Sequence, residues 1–223
     1  MKKKYFIITI DTEGDNLWGW KEGTEIGTNN ARYLPRFQSL CNEFGFKPTW
    51  LTNWEMLQNQ EYIEFAKREQ AAGHCEIGMH LHAWNNPPFY ELPRDEKSGK
   101  PYLIEYPVEI MEAKVKSITE LFLNIFGFAP VSHRAGRWAI NDEYFRLLYK
   151  YGYRIDCSIT PLISWESSMG RTPGLRDRIT PKRGRMFITD MEYWKSRSLF
   201  FRLRKRKLHG YARATEIWKI CCG

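Results

Sequence analysis

Two of the chain's five histidines sit two positions apart in EIGMHLHAW, residues 76–84. Side chains alternate between faces in an extended segment, so His80 and His82 point one way and Leu81 the other. Such a pair can offer two imidazoles to one metal ion. The alternative is a strand end with two solvated histidines. A second group, TIDTEGD at 9–15, puts Asp11 and Glu13 on one side if the backbone stays extended. Two carboxylates this close repel each other unless a cation or donor intervenes. A divalent ion resolves the repulsion, with one carboxylate ligating and the other left as a base. Imidazole with carboxylate ligation suits zinc and other first-row metals. An exposed acidic loop is the alternative for this motif.

These residues need elements to aim them. KYFIITI at 4–10 is apolar throughout, short, and β-branched or aromatic, the profile of a strand buried on both faces. LPRFQSLCNEFG carries Leu34, Phe37, Leu40, Cys41 and Phe44 at helical spacing and stops at Gly45. KPTWLTN predicts a second strand, with Asn53 capping a helix that starts at Trp54. EYIEFAKREQAAG predicts a helix, CEIGMHLH a third strand, and the proline-rich 85–105 a long loop. PVEIMEAKVKSITELFLNIFG is the longest helix; APVSHRAG, NDEYFRLLYKYGY and RIDCSIT follow as strand, capped helix and strand. This alternation predicts a parallel sheet covered by helices. After Pro161 the pattern weakens: RMFITDMEYW reads as one more strand, and the chain is expected to end before a barrel closes. In such folds functional groups gather at the carboxyl edge of the strands. Asp11, Glu13 and Asp15, then His80 and His82, then His133 and Arg134, then Asp156, all fall at that position. Four coincidences in one chain favour a site over a solvated rim.

Composition sets the bounds. With 223 residues and 43% hydrophobic content, the chain can build one sizeable core, and a single domain over 1–223 is expected. No apolar run approaches the ~20 residues of a membrane span. The apolar stretch near the start is cut short at Asp11 with no cleavage site after it, so a cytoplasmic location is expected. Five cysteines, at 41, 75, 157, 221 and 222, suggest neither a zinc knuckle nor a disulfide framework. The net charge of +8 is concentrated in a basic segment from about 182: twelve Lys/Arg against three Asp/Glu between 182 and 219. That face could meet phosphates or anionic membranes, but it identifies no partner.

Taken together, TIDTEGD, GHCEIGMHLH, HRAGRW and DCSITP resemble, in order over about residues 5–161, the four leading motifs of the polysaccharide deacetylases, the NodB-like carbohydrate esterases. The resemblance implies an α/β fold: a distorted (β/α)7 barrel of the polysaccharide deacetylase type, complete or lacking its last units. It also implies a divalent metal, zinc being the ion expected, and hydrolysis of an N-acetyl group from a sugar. By motif, Asp11 matches the catalytic base. Glu13 takes the place of an aspartate ligand, and His80 matches the first metal histidine. The second family histidine lies four residues on, where this chain has Trp84, so His82 must substitute. Arg134 matches the residue that orients the base, against the alternative of a structural salt bridge. Trp138 matches a substrate-binding pocket wall, against ordinary core packing. Asp156 matches the aspartate that supports a late general acid. The family's acid histidine follows a leucine and one further residue near the last strand; here only Leu208–His209 is offered, directly adjacent and inside the basic segment.

The function expected is a metal-dependent hydrolase acting on the amide C–N bond of N-acetylated sugars, with an N-acetylated carbohydrate or sugar precursor as partner. One rival is a catalytically weak carbohydrate-binding or truncated homologue. A lesser rival is nucleic-acid binding through RLRKRK and its neighbouring Phe200 and Phe201, which no recognised nucleic-acid motif accompanies.

Overall fold

A computed structural model describes residues 6–17, 19, 24–92, 100–159 and the backbone of 189–190. Five strands run parallel and follow one another in space as they do in the chain: β1 (Thr9–Thr12), β2 (Thr49–Thr52), β3 (Glu76–Leu81), β4 (Ser132–Ala135) and β5 (Ile155–Asp156). Between them lie α1 (Leu34–Glu43), α2 (Gln60–Ala71), α3 (Val108–Phe126) and α4 (Asp142–Lys150). A sixth strand, β6 (Thr189–Asp190), pairs antiparallel with β5, which departs from the all-parallel expectation. The expected barrel is neither shown nor excluded by the described residues, and the basic segment apart from the backbone of β6 lies outside them. Among the described residues no helix is long and apolar enough to cross a membrane.

Local signals explain the helices. Asn59 caps α2 by accepting the Tyr62 backbone N–H at 2.8 Å, and Asn141 caps α4 by accepting that of Tyr144 at 2.9 Å. α3 ends on Gly127 at φ 80°, a left-handed position that glycine takes without a Cβ penalty. Asn53 does bond the Trp54 N–H, at 2.7 Å, yet only a short 3-10 turn at Met56–Gln58 follows before α2 begins. The long helix buries Met111, Val115, Ile118 and Phe122 along one stripe, each burial contributing roughly 1.5–3 kcal/mol relative to exposure.

Buried side chains of α2, α3 and α4 form a single core with one face of the sheet. Trp50, Ile77, Met79 and Leu81 face that way and share one core with Tyr62, Phe65, Ile118 and Phe122. Alternation sends the intervening residues to the opposite face. The register aligns Asp11 with Leu51 and Gly78, and His80 with Arg134. The same register aligns Met79 with His133 and His133 with Asp156, on the helix-covered face.

Candidate metal centre

Glu13 lies just past β1, His80 is the fifth residue of β3, and His82 just follows that strand. Both imidazoles point to the face opposite the core shared with α2, α3 and α4, and Glu13 reaches over β2 to meet them. His80 Nε2 and His82 Nε2 are 3.0 Å apart. Glu13 Oε2 stands 2.9 Å from His82 Nε2 and 3.4 Å from His80 Nε2. Ligand atoms in a tetrahedral zinc site lie about 3.3 Å apart, given bonds of about 2.0–2.1 Å. The three observed edges come close to that, and this donor set of two imidazoles and one carboxylate fits such an ion. It is the one group of three or more His, Cys, Asp or Glu ligand atoms gathered in this way among the described residues.

The tautomer of His80 follows from its other nitrogen. Nδ1 is 2.9 Å from the backbone carbonyl of Arg134, which can only accept, so Nδ1 carries the hydrogen. When His80 is neutral its Nε2 lone pair therefore points into the cluster, the usual arrangement for a ligating histidine. Charge in the cluster is divided unevenly. Burial pushes the pKa of His82 down to about 4, with the charge of His80 adding to the effect. His80 is shifted upward: burial opposes this, but the negative charges of Asp11 and Glu13 outweigh it. Burial would raise Glu13, yet its hydrogen bonds to both histidines hold it well below the usual carboxylate range. His82 is thus neutral at pH 7, the form that can ligate a metal ion.

Asp11 lies beside this cluster, two residues before Glu13 on the same face. Arg134 Nη1 donates to Asp11 Oδ1 at 2.6 Å, and its Nη2 donates to Thr9 Oγ1 at 2.5 Å. Its Nε donates to the Cys157 carbonyl at 3.0 Å, which fixes the guanidinium plane. The Asp11 side chain remains 25% exposed, accessible to a substrate or water.

Asp156 is not brought to this face. It is fully buried behind the sheet, where Oδ1 accepts from His133 Nδ1 at 2.9 Å and from Ser158 Oγ at 2.6 Å, while Oδ2 accepts the Ser158 N–H at 3.0 Å. The displacement is one residue of strand phase: Asp156 is in register with His133, not with Arg134. Trp84, at the family's second histidine position, packs its ring 4.3 Å from that of His82. Trp138 is half-buried in the turn after β4, where it and Arg137 both adopt φ 56°. In that turn Gly136 abuts the site. A Cβ there would lie 2.3 Å from the Leu81 carbonyl and 2.7 Å from His82 Nδ1, so only glycine allows the approach. His209 lies outside the described residues. Sequence reasoning quoted Gly136 only as part of the HRAGRW motif, and it passed over the carbonyl of Arg134 and Glu55. None carries a side-chain pattern that points to the site from sequence.

No protein-family model and no curated protein matches the chain. Among solved structures it is similar to a candidate polysaccharide deacetylase from Mycobacterium smegmatis, at 20% identity and TM-score 0.48 over 69% of this chain and 50% of that one. It is also similar to IcaB from Ammonifex degensii, at 12% identity and TM-score 0.42, covering 67% and 57%. A third is the BpsB deacetylase domain from Bordetella bronchiseptica, at 13% identity and TM-score 0.45, covering 70% and 64%. Two of these three structures are described as deacetylases. The chain spans between half and two thirds of the length of these structures.

Proposed function

We propose that this protein is a metal-dependent hydrolase that removes N-acetyl groups from a sugar or polysaccharide precursor. The observation that carries the reading is the convergence of Glu13, His80 and His82 on one point, with the Arg134–Asp11 pair beside it on the same face of the sheet. A divalent ion held there, zinc by its donor set, supplies a Lewis acid for the acetyl carbonyl and lowers the pKa of water. Asp11 accepts the proton of the attacking water. Arg134 aims the Asp11 carboxylate and balances its charge, anchored in turn by Thr9 and the Cys157 carbonyl. Trp138, in the turn that touches His82, forms a wall for the sugar ring.

The leaving amine needs a proton, and one observation favours a second reading. Among the described residues, His133 is engaged at both nitrogens by Asp156 and Tyr144, and His74 precedes β3 at the far edge of the sheet. Neither serves as the acid, and a protein that binds N-acetylated carbohydrate and turns it over weakly would have this arrangement. Acetate release from N-acetylated sugar oligomers by the zinc-loaded chain separates the two. Release that a chelator stops and Asp11→Asn abolishes supports the hydrolase. Saturable carbohydrate binding without acetate release supports the second reading. Metal uptake that persists after His80 and His82 are both changed to Ala overturns the proposed centre.

A further inference from the structure

Glu55 lies in the turn after β2 and takes no part in the ligand triangle. Its side chain is 8% exposed, an unusual place for a carboxylate unless its oxygens are satisfied. Each oxygen accepts one N–H. Oε1 takes the backbone N–H of Gly14 at 2.7 Å, and Oε2 takes Asn85 Nδ2 at 2.7 Å. Gly14 directly follows Glu13, and Asn85 lies three residues beyond His82. One buried carboxylate therefore ties the loop after β1 to the loop after β3, and these are the loops that bring the carboxylate ligand to the imidazoles. The β1 loop has little slack elsewhere. A Cβ at Gly14 would lie 2.8 Å from the Gly27 carbonyl, and Asn30 Nδ2 holds the Glu13 carbonyl at 2.7 Å.

A proton-donor role for Glu55 is the competing assignment. Its two oxygens are engaged by Gly14 and Asn85, one from each loop, so the observed contacts tie the carboxylate to the loops. We infer that Glu55 is a positioning residue, a clamp that sets the separation of Glu13 from the His80–His82 pair; this rests on the metal-centre reading given above. The clamp depends on two hydrogen bonds at a fixed separation, one to each loop, not on charge. Glutamine can replace it, because Asn85 Oδ1 is buried without a donor among the described residues and the Asn85 amide can turn over to accept from the new amide.

Cobalt(II) titration of the metal-free full chain, read by affinity and by the visible d–d spectrum, tests the inference alongside amide hydrogen exchange at Gly14. Glu55→Ala is expected to weaken cobalt binding ~10–100-fold, to alter the spectrum, and to speed Gly14 exchange. Glu55→Gln is expected to stay within about threefold of the parent with the parent spectrum. Parent affinity and spectrum in Glu55→Ala overturn the clamp, and so does Glu55→Gln binding as weakly as Glu55→Ala. If Glu55→Ala does not fold, Asn85→Ala cuts the His82 side alone. It should weaken cobalt binding with Gly14 exchange unchanged, and undiminished cobalt binding overturns the inference. If the parent takes up no cobalt, the metal reading fails. The clamp is then judged on Gly14 exchange and the His82 ring-nitrogen shifts of the metal-free protein, and no change of either in Glu55→Ala overturns it.

Discussion

Arg134 serves the site twice, through different atoms: its guanidinium binds Asp11 at 2.6 Å, and its backbone carbonyl accepts from His80 Nδ1 at 2.9 Å. A side-chain substitution separates the two jobs. Arg134→Met should lower kcat ~10²-fold by releasing the base. Metal stoichiometry, measured by elemental analysis, should stay at the parent value because the carbonyl remains. Loss of metal in this variant would mean that the guanidinium holds the ligands rather than the base.

Gly136→Ala should act on the metal centre without touching a ligand. The added methyl would meet the Leu81 carbonyl and His82 Nδ1, so the imidazole must rotate or the turn must lift. Cobalt affinity is expected to fall ~10–100-fold. The tight contact is disproved if affinity is unchanged in a variant that folds normally.

Asp156→Ala should cost stability. It leaves three donors behind the sheet without an acceptor: His133 Nδ1, Ser158 Oγ and the Ser158 N–H. Burial lowers the pKa of His133, which disfavours its charged form behind the sheet. The expected loss is ~3–5 kcal/mol in urea unfolding, with little change in cobalt affinity of the folded fraction. The opposite pattern, preserved stability and lost cobalt binding, would place Asp156 in the site after all.

Lys114 gives a pH dependence. It is 1% exposed, and its Nζ donates to the carbonyls of Asn86 and Pro88, each at 2.6 Å, in the loop that follows the histidines. Burial lowers its pKa from 10.5 to about 8. Between those values the unfolded lysine holds a proton that the folded one releases, so stability rises with pH, by up to ~1.4 kcal/mol per unit. The neutral amine keeps two N–H groups for its two carbonyls. Thermal unfolding from pH 7 to 10.5 should show this rise in the parent and not in Lys114→Met. An equal rise in both would assign it to another group.

Much of this arrangement was legible from strand phase alone. Period-two alternation placed Asp11 with Glu13 and His80 with His82 on shared faces, and the apolar runs located β2, β3 and α3 to within a few residues. The limits of that reasoning are physical. Alternation within one strand says nothing about register between strands, and register is what turned Asp156 toward His133. The first strand begins its ladder at Thr9, further on than its apolar run suggests, because pairing depends on what Thr49 meets across the sheet. Glu55 drew no reading from the sequence, because its burial depends on Gly14 and Asn85, distant along the chain. The reversed direction of β6 lay in a stretch where the hydrophobic pattern had already weakened.

The site straddles β2. Glu13 arrives from β1 and the histidines from β3, so no single hairpin or βα unit can form the centre, and its contacts are long-range. A chain emerging from the ribosome has all three ligands once residue 82 is out, yet the carbonyl that sets the His80 tautomer and the partner of Asp11 follow only with β4. The donors therefore exist before the groups that orient them. Non-local pairing of this kind is slow to nucleate, so an ion held at this centre would be aimed only late in folding, and metal uptake during refolding should lag behind helix formation.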